Sequence, residues 1–409
     1  MANLCAHCAS PAALSCIGCK ECPSPDLEST TTTWYCGREC QKAHFATHKN
    51  ACEDARHRKI LVQVTQSIHD VLLFQRKLTV EFPLVGPVER KDGELHYHTD
   101  ETKMETTYPN GISYPLPEPL WSTIDENAQL AILWKDMCCE ALVYAEPLLA
   151  KMLKSKRIPH PGKVTVELIQ VDIMHPDTET AAFSVVVEAP AFTTREIVHN
   201  AINPENFAWA APTLHHTIGK IQLKSGEEYA LDITGAQFGI FDIVMPWHKY
   251  LAKHVRPGES TQRNILDLRM VLECPTDPEE LPLAKRQELI NDGIDVAMEG
   301  FFEDNPAPGT KIHVAKDEDA YPTWLDKFNK EYKNWAVILI GKIDPISGVT
   351  DRTSLKTETE RTLYDLLHED YCSGDSIADI IGNSAGHRVA YHTSFEITHM
   401  VEDLEVDDE

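Results

Sequence analysis

Eight residues near the start of the chain have the types and spacing to hold metal: Cys5-x2-Cys8, Cys16-x2-Cys19, Cys36-x3-Cys40 and His48-x3-Cys52. Zinc takes four thiolate or imidazole ligands in a tetrahedron. A Cys-x2-Cys turn brings both its sulfurs inward on one ion. Ligands four residues apart lie on one face of a helix. Four such pairs make two complete sites, so both zinc ions (Zn2+) are expected to be structural, with no position left for water. Cys22 leaves one alternative open, because Cys19-x2-Cys22 is an equally good pair. So short a module buries little core, and the metal must supply its folding free energy.

A second constellation lies further along. His215 and His216 precede one strand-like run, and Asp232 sits in the next, Leu231-Asp232-Ile233-Thr234. The order is similar to the His/Asp half of transglutaminase-like and papain-like folds. In those folds an Asp orients a His that activates a Cys. His215 or His216 would then be the base and Asp232 its orienter. Cys138 and Cys139 stand in the required order for a nucleophile, but about three turns inside an expected helix. The low-pKa position is a helix N-terminus. The reading therefore assigns no catalytic residue and no cofactor site. It expects Asp232 to be structural, paired with a His, backbone N–H groups or the Thr234 hydroxyl. Gly382-Asn-Ser384-Ala-Gly386 fits the hydrolase elbow pattern, but too little chain follows it. His98-Thr99-Asp100 is too short a match to an iron triad. His7, His44, His387, His392 and His399 read as surface residues.

Residues 5–52 closely resemble the MYND zinc finger. The features beyond the ligands are Tyr35 before Cys36, the Cys40-Gln41 step and His48-Lys49. Phe45 stands where the family usually carries Trp, and the stretch between Cys19 and Cys36 is longer than usual, with an insertion at Cys22–Thr33. That Pro-, Ser- and Thr-rich insertion is expected to loop out. The resemblance implies cross-braced pairing. Cys5, Cys8, Cys36 and Cys40 would hold one zinc, and Cys16, Cys19, His48 and Cys52 the other. It also favours Cys16 over Cys22, and implies a protein-binding module that takes short proline-containing peptides. The SET methyltransferase domains that often accompany such fingers leave no mark here, since their Asn-His-Ser-Cys and Gly-Glu-Glu-Leu steps are missing. The remainder is similar to the long C-terminal region of fungal MYND-finger proteins, most recognisably over His215–Tyr250.

The elements that must position these residues set the wider reading. The 409 residues, 42% hydrophobic and 25% charged, suit two or three globular units. The formal charge is −26, yet residues 1–59 are near neutral, so the acidity belongs to the remainder. Nucleic-acid binding is not expected, because phosphate affinity needs clustered Lys and Arg. No apolar run is long enough to span a bilayer. With no secretion signal expected, crowded cysteines read as metal binding inside the cell, in cytoplasm or nucleus.

An α+β class is expected: a finger at 1–52, an acidic domain at 53–395 and an acidic tail at 396–409. Within the domain, 53–157 should be helical, 160–275 β-rich and 280–395 mixed. Leu61, Val64, Ile68 and Leu72 mark a helix over 53–82. Lys91-Asp92-Gly93 marks a turn. A second helix should run from Asp125 to about Lys156, kinked or divided at Pro147. Strands are expected at Val164–Ile173, Phe183–Glu188, Ile218–Leu223 and Tyr229–Ile233, with a turn at Lys224–Glu227. Helices are expected at 282–299, 323–333 and 354–370, with Trp335–Ile340 a buried strand. The functional expectation is a zinc-binding interaction protein. The alternative is a thiol-dependent hydrolase or acyltransferase built on Cys138 or Cys139.

Overall fold

A computed structural model describes residues 3–80, 84–100, 121–153, 181–188, 190–191, 193–199, 215–263 and 320–347, with scattered positions between 268 and 305. The elbow match at 382–386, His387, His392, His399, Cys274, Cys372, Val164–Ile173, residues 354–370 and the acidic tail lie outside them.

The finger holds four two-residue strands: β1 (Leu14–Ser15), β2 (Cys22–Pro23), β3 (Thr30–Thr31) and β4 (Trp34–Tyr35). These pair antiparallel as β1–β4 and β2–β3. A 41-residue helix, α1 (Arg38–Leu78), follows. It begins among the zinc-ligand positions and ends in the main core, so the boundary expected at residue 52 falls inside one helix. The expected stripe sits on its buried face, with Leu61, Val64, Ile68 and Leu72 all covered.

Strands β5 (Glu89–Lys91) and β6 (Glu94–Asp100) form a hairpin around the expected turn. Its two-residue turn is Asp92-Gly93, with φ of +54° and +80°. Both residues are left-handed, as a tight hairpin matched to strand twist requires, and Gly93 takes the wider value without strain.

The helix expected from Asp125 is two helices, α2 (Glu126–Leu133) and α3 (Cys138–Leu153). Asp125 caps α2, its side chain accepting from the Ala128 N–H at 3.0 Å. The break falls at 134–137, not at Pro147, which lies inside α3. Asp136 is the cause: its φ is +60°, incompatible with a helix, and its N–H donates to Gln237 Oε1 at 3.2 Å. A tertiary hydrogen bond supplied from 101 residues away decides where the helix ends.

The remaining elements are β7 (Ala181–Val187), β8 (Thr193–His199), β9 (His215–Gln222), β10 (Glu228–Leu231), β11 (Val244–Pro246), α4 (Trp247–His254), β12 (Val255–Arg263) and α5 (Ala320–Ser347). Five strands form an antiparallel sheet in the order β11-β10-β9-β7-β12. A smaller sheet has the order β5-β6-β8, with β6 and β8 parallel. The class is α+β.

The large sheet separates two cores. On one face, Ala182, Ile221, Tyr229 and Leu231 join Leu61 and Val64 of α1, Leu142 and Leu149 of α3, and Phe328 and Leu339 of α5. On the other, Val185, Ile218 and Ala230 join Phe238, Trp247 and Tyr250. Side chains along a strand alternate between these two faces.

The run Trp335–Ile340, expected as a strand, is part of α5. Within it Ala336, Leu339 and Ile340 are buried and Val337 is 51% exposed, a helical spacing. Packing beside α1 overrides the strand preference of Val337 and Ile340. Tyr332 on the same face donates to Gln75 Oε1 of α1 at 2.6 Å.

Candidate metal centre

The chain brings the eight ligand candidates together as two quartets, Cys5/Cys8/Cys36/Cys40 and Cys16/Cys19/His48/Cys52, with the ligand atoms of each within 4.8 Å of one another. In the first, Cys8 Sγ is 3.5 Å from Cys36 Sγ, Cys36 Sγ 3.4 Å from Cys40 Sγ, and Cys40 Sγ 3.8 Å from Cys8 Sγ. In the second, Cys16 Sγ lies 3.7 Å from Cys52 Sγ, and His48 Nε2 lies 3.4 Å from Cys16 Sγ and 3.5 Å from Cys19 Sγ. A zinc tetrahedron with Zn–S of about 2.3 Å has edges of roughly 3.8 Å. The spacings fit that polyhedron and are far beyond a disulfide bond.

Local structure explains each pair. The Cys5-x2-Cys8 turn is closed by Ala9 N–H donating to Cys5 O at 2.8 Å, with Ala9 left-handed at φ +59°. The second pair sits on a short turn in which Cys19 N–H donates to Cys16 O at 3.3 Å. Gly18 within it is obligatory: a Cβ there would stand 2.8 Å from Cys52 Sγ. Cys40, His48 and Cys52 project from α1 at helical spacing.

Electrostatics also call for a cation. Cys40 is pushed up to about 12 by the crowding sulfurs of Cys36 and then Cys8. Cys52 is pushed far upward, first by Cys16 and then by Cys19. The four thiols of the first quartet and the three of the second are too close for all to ionise unless a metal neutralises them. Each quartet supplies four ligands, so the two sites that fit zinc are both closed. The chemistry supplied by zinc here is cross-linking, not activation of water.

Cys22, the open alternative, falls outside both quartets. It is 1% exposed, its Sγ faces Gly18 O at 3.8 Å, and burial pushes its thiol up to about 11. Tyr35 is fully buried, with its hydroxyl 3.1 Å from His44 Nδ1. His44, expected on the surface, is instead half-buried and stacks on the His48 ring at 5.6 Å. His7 is exposed as expected.

The insertion Cys22–Thr33 does not loop out. It forms the β2–β3 hairpin and docks on the larger domain. Arg58 of α1 donates from Nε to Pro23 O at 2.8 Å and from Nη1 to Glu227 Oε1 at 2.8 Å. Tyr229 OH donates to Pro25 O at 3.3 Å, Lys249 pairs with Glu28 at 2.5 Å, and Leu27 packs on the main core. Sequence reasoning missed this contact, because its two sides are about 200 residues apart.

The His/Asp constellation also forms. His216 Nε2 donates to Asp232 Oδ1 at 2.7 Å, and Tyr250 OH donates to Asp232 Oδ2 at 2.6 Å, all in the buried core. The Tyr250 partner was not foreseen. The cysteines stand elsewhere. Cys138 opens α3 and does not sit three turns within a helix, and Cys139 Sγ lies 3.3 Å from Thr217 Oγ1. Thr217 and His216 are adjacent on β9, so they project to opposite faces of the sheet. His216 packs edge-on against Phe238 of the far core, and its Nδ1 has no hydrogen-bond partner among the described residues. No thiol–imidazole hydrogen bond joins the two groups. The described residues hold no third cluster of metal ligands, at His98-Thr99-Asp100 or elsewhere.

Comparison with known proteins matches residues 5–52 to the MYND finger family. No curated protein and no solved structure matches the chain. No helix among the described residues is long and apolar enough to cross a membrane.

Proposed function

We propose that this chain is a protein-interaction adaptor whose finger captures a proline-containing peptide and whose acidic α+β domain holds the finger in a set orientation. The observation that carries the reading is Phe45, a large aromatic left 42% exposed within the zinc-stabilised module. Gln41 lies one helical turn before it on α1, so both belong to one face. An exposed ring beside an amide suits proline. The ring stacks against a pyrrolidine, the amide reaches a peptide carbonyl, and a proline-rich ligand loses little entropy on docking. The insertion hairpin is used up in holding the finger to the domain, and the Gln41/Phe45 face is left for a partner. Thiolate ligation of zinc suits a reducing compartment, hence cytoplasm or nucleus.

The test is binding of the zinc-loaded protein to an array of proline-containing peptides. Gln41→Ala with Phe45→Ala should weaken capture at least ten-fold while the two zinc ions are retained. Unchanged capture by that double variant would rule out this face as the binding surface.

A further inference from the structure

The start of α3 gathers reactive and polar groups that the finger does not use. Cys139 lies in the first turn of this 16-residue helix, half-buried, with its sulfur 3.3 Å from Thr217 Oγ1. The sheet register extends the site sideways. Thr217 pairs with Ser184, Ser184 with Thr261, and Ala182 with Arg263. By alternation Thr217, Ser184, Thr261 and Arg263 all project to the face that α3 covers. Arg263 is exposed and has no ion-pair partner among the described residues.

A second feature lies just ahead of the helix. Gln237 is 6% exposed, and its Oε1 accepts from the Asp136 N–H, two residues ahead of the helix. Its Nε2 is buried and donates to nothing among the described residues. A buried amide donor without an acceptor is costly. It stands at a helix N-terminus, where unsatisfied N–H groups and the helix dipole already favour negative charge.

The two vicinal thiols divide their roles. Cys138 is pushed upward, first by Cys139 and then by burial, and keeps its proton. Cys139 is pulled down to about 6, first by the Cys138 thiol that donates to it; burial opposes this, and the Thr217 hydroxyl, then the nearby His216 and Arg263, add to it. The His216 imidazole is held by Asp232 at 2.7 Å on the opposite side of the sheet and makes no hydrogen bond to the Cys139 sulfur.

We propose that Cys139 is a modification site, a nucleophilic thiolate that accepts a thiol group from a small disulfide bearing carboxylates. The Cys139 sulfur attacks one sulfur of that disulfide. A new S–S bond forms to Cys139 and the original S–S bond breaks. The displaced half leaves with the electron pair as a thiolate and takes a proton from water. The Cys139 sulfur is oxidised and the departing half is reduced. Arg263 and the helix N-terminus recognise the carboxylates.

The experiment treats full-length, zinc-loaded protein with iodoacetamide, and separately with oxidised glutathione, and maps adducts by peptide mass. At pH 7 Cys139 should react at least ten-fold faster than Cys138 or Cys22, with its rate half-maximal near pH 6. Arg263→Gln should slow the glutathione reaction at least three-fold and the iodoacetamide reaction less, because only the first probe carries carboxylates. The idea is overturned if Cys139 reacts no faster than Cys138, or only after unfolding. Equal slowing of both probes by Arg263→Gln would overturn carboxylate recognition.

Discussion

His57 shows how one buried side chain can govern acid stability. It is 4% exposed on α1, its Nδ1 has no partner among the described residues, and Glu53 approaches only to 4.0 Å. Burial holds its pKa down to about 4. The unfolded chain takes up a proton near pH 6.5, whereas the folded chain resists until about pH 4. Between those values the unfolded state binds more protons, so stability falls as pH falls. The loss saturates at on the order of 3 kcal/mol. His57→Gln should remove that part of the acid slope. Urea melts at pH 7 and pH 4.5 compare the two proteins, and an identical slope in both would show that His57 titrates normally. At this scale the metal ligands were fully legible, because Cys-x2-Cys and i,i+4 pairs act within one turn of chain. Tyr250 as a partner of Asp232 was not, because it reaches that carboxyl only through the fold.

At the scale of elements, the docked hairpin β2–β3 is held from α1, β10 and α4 together. Arg58, 7% exposed along its side chain, spans Pro23 of the finger and Glu227 of the large sheet. Arg58→Ala should destabilise the chain by about 2–3 kcal/mol, because it leaves Glu227 and the Pro23 carbonyl facing a void. Glu227→Gln should cost less, since that carboxylate is 27% exposed and partly hydrated. A double-mutant cycle in urea should give a coupling of about 1 kcal/mol, and a coupling near zero would mean the pair is only adjacent. The periodic stripe of α1 and the Asp92-Gly93 turn were both readable, being local signals. The α2–α3 break and the helical state of Trp335–Ile340 were not. Gln237 dictates the first, and packing beside α1 dictates the second.

For the whole molecule, α1 makes zinc and core parts of one mechanical unit. Its early turns carry Cys40, His48 and Cys52, and its later turns carry Leu61, Val64 and Ile68 beneath the sheet. Removing zinc with a strong chelator should therefore do more than melt the finger. Hydrogen exchange at Leu61–Leu72 should quicken at least ten-fold, and the melting temperature of the entire chain should drop. Unchanged protection at Leu61–Leu72 would show that the helix can fray to residue 52 without consequence, with the finger and domain as separate units. The residue pattern alone determined the two-zinc finger, its family and an α+β remainder. Those rest on ligand spacing and on apolar periodicity, which are properties of neighbouring residues. Only the tertiary structure decided that the finger is clamped to the domain, that Cys138 begins a helix, and that Cys139 and His216 face opposite cores. Each of these depends on strand register or on a contact between residues more than 75 positions apart. Chain folding sets such contacts, and no local pattern encodes them.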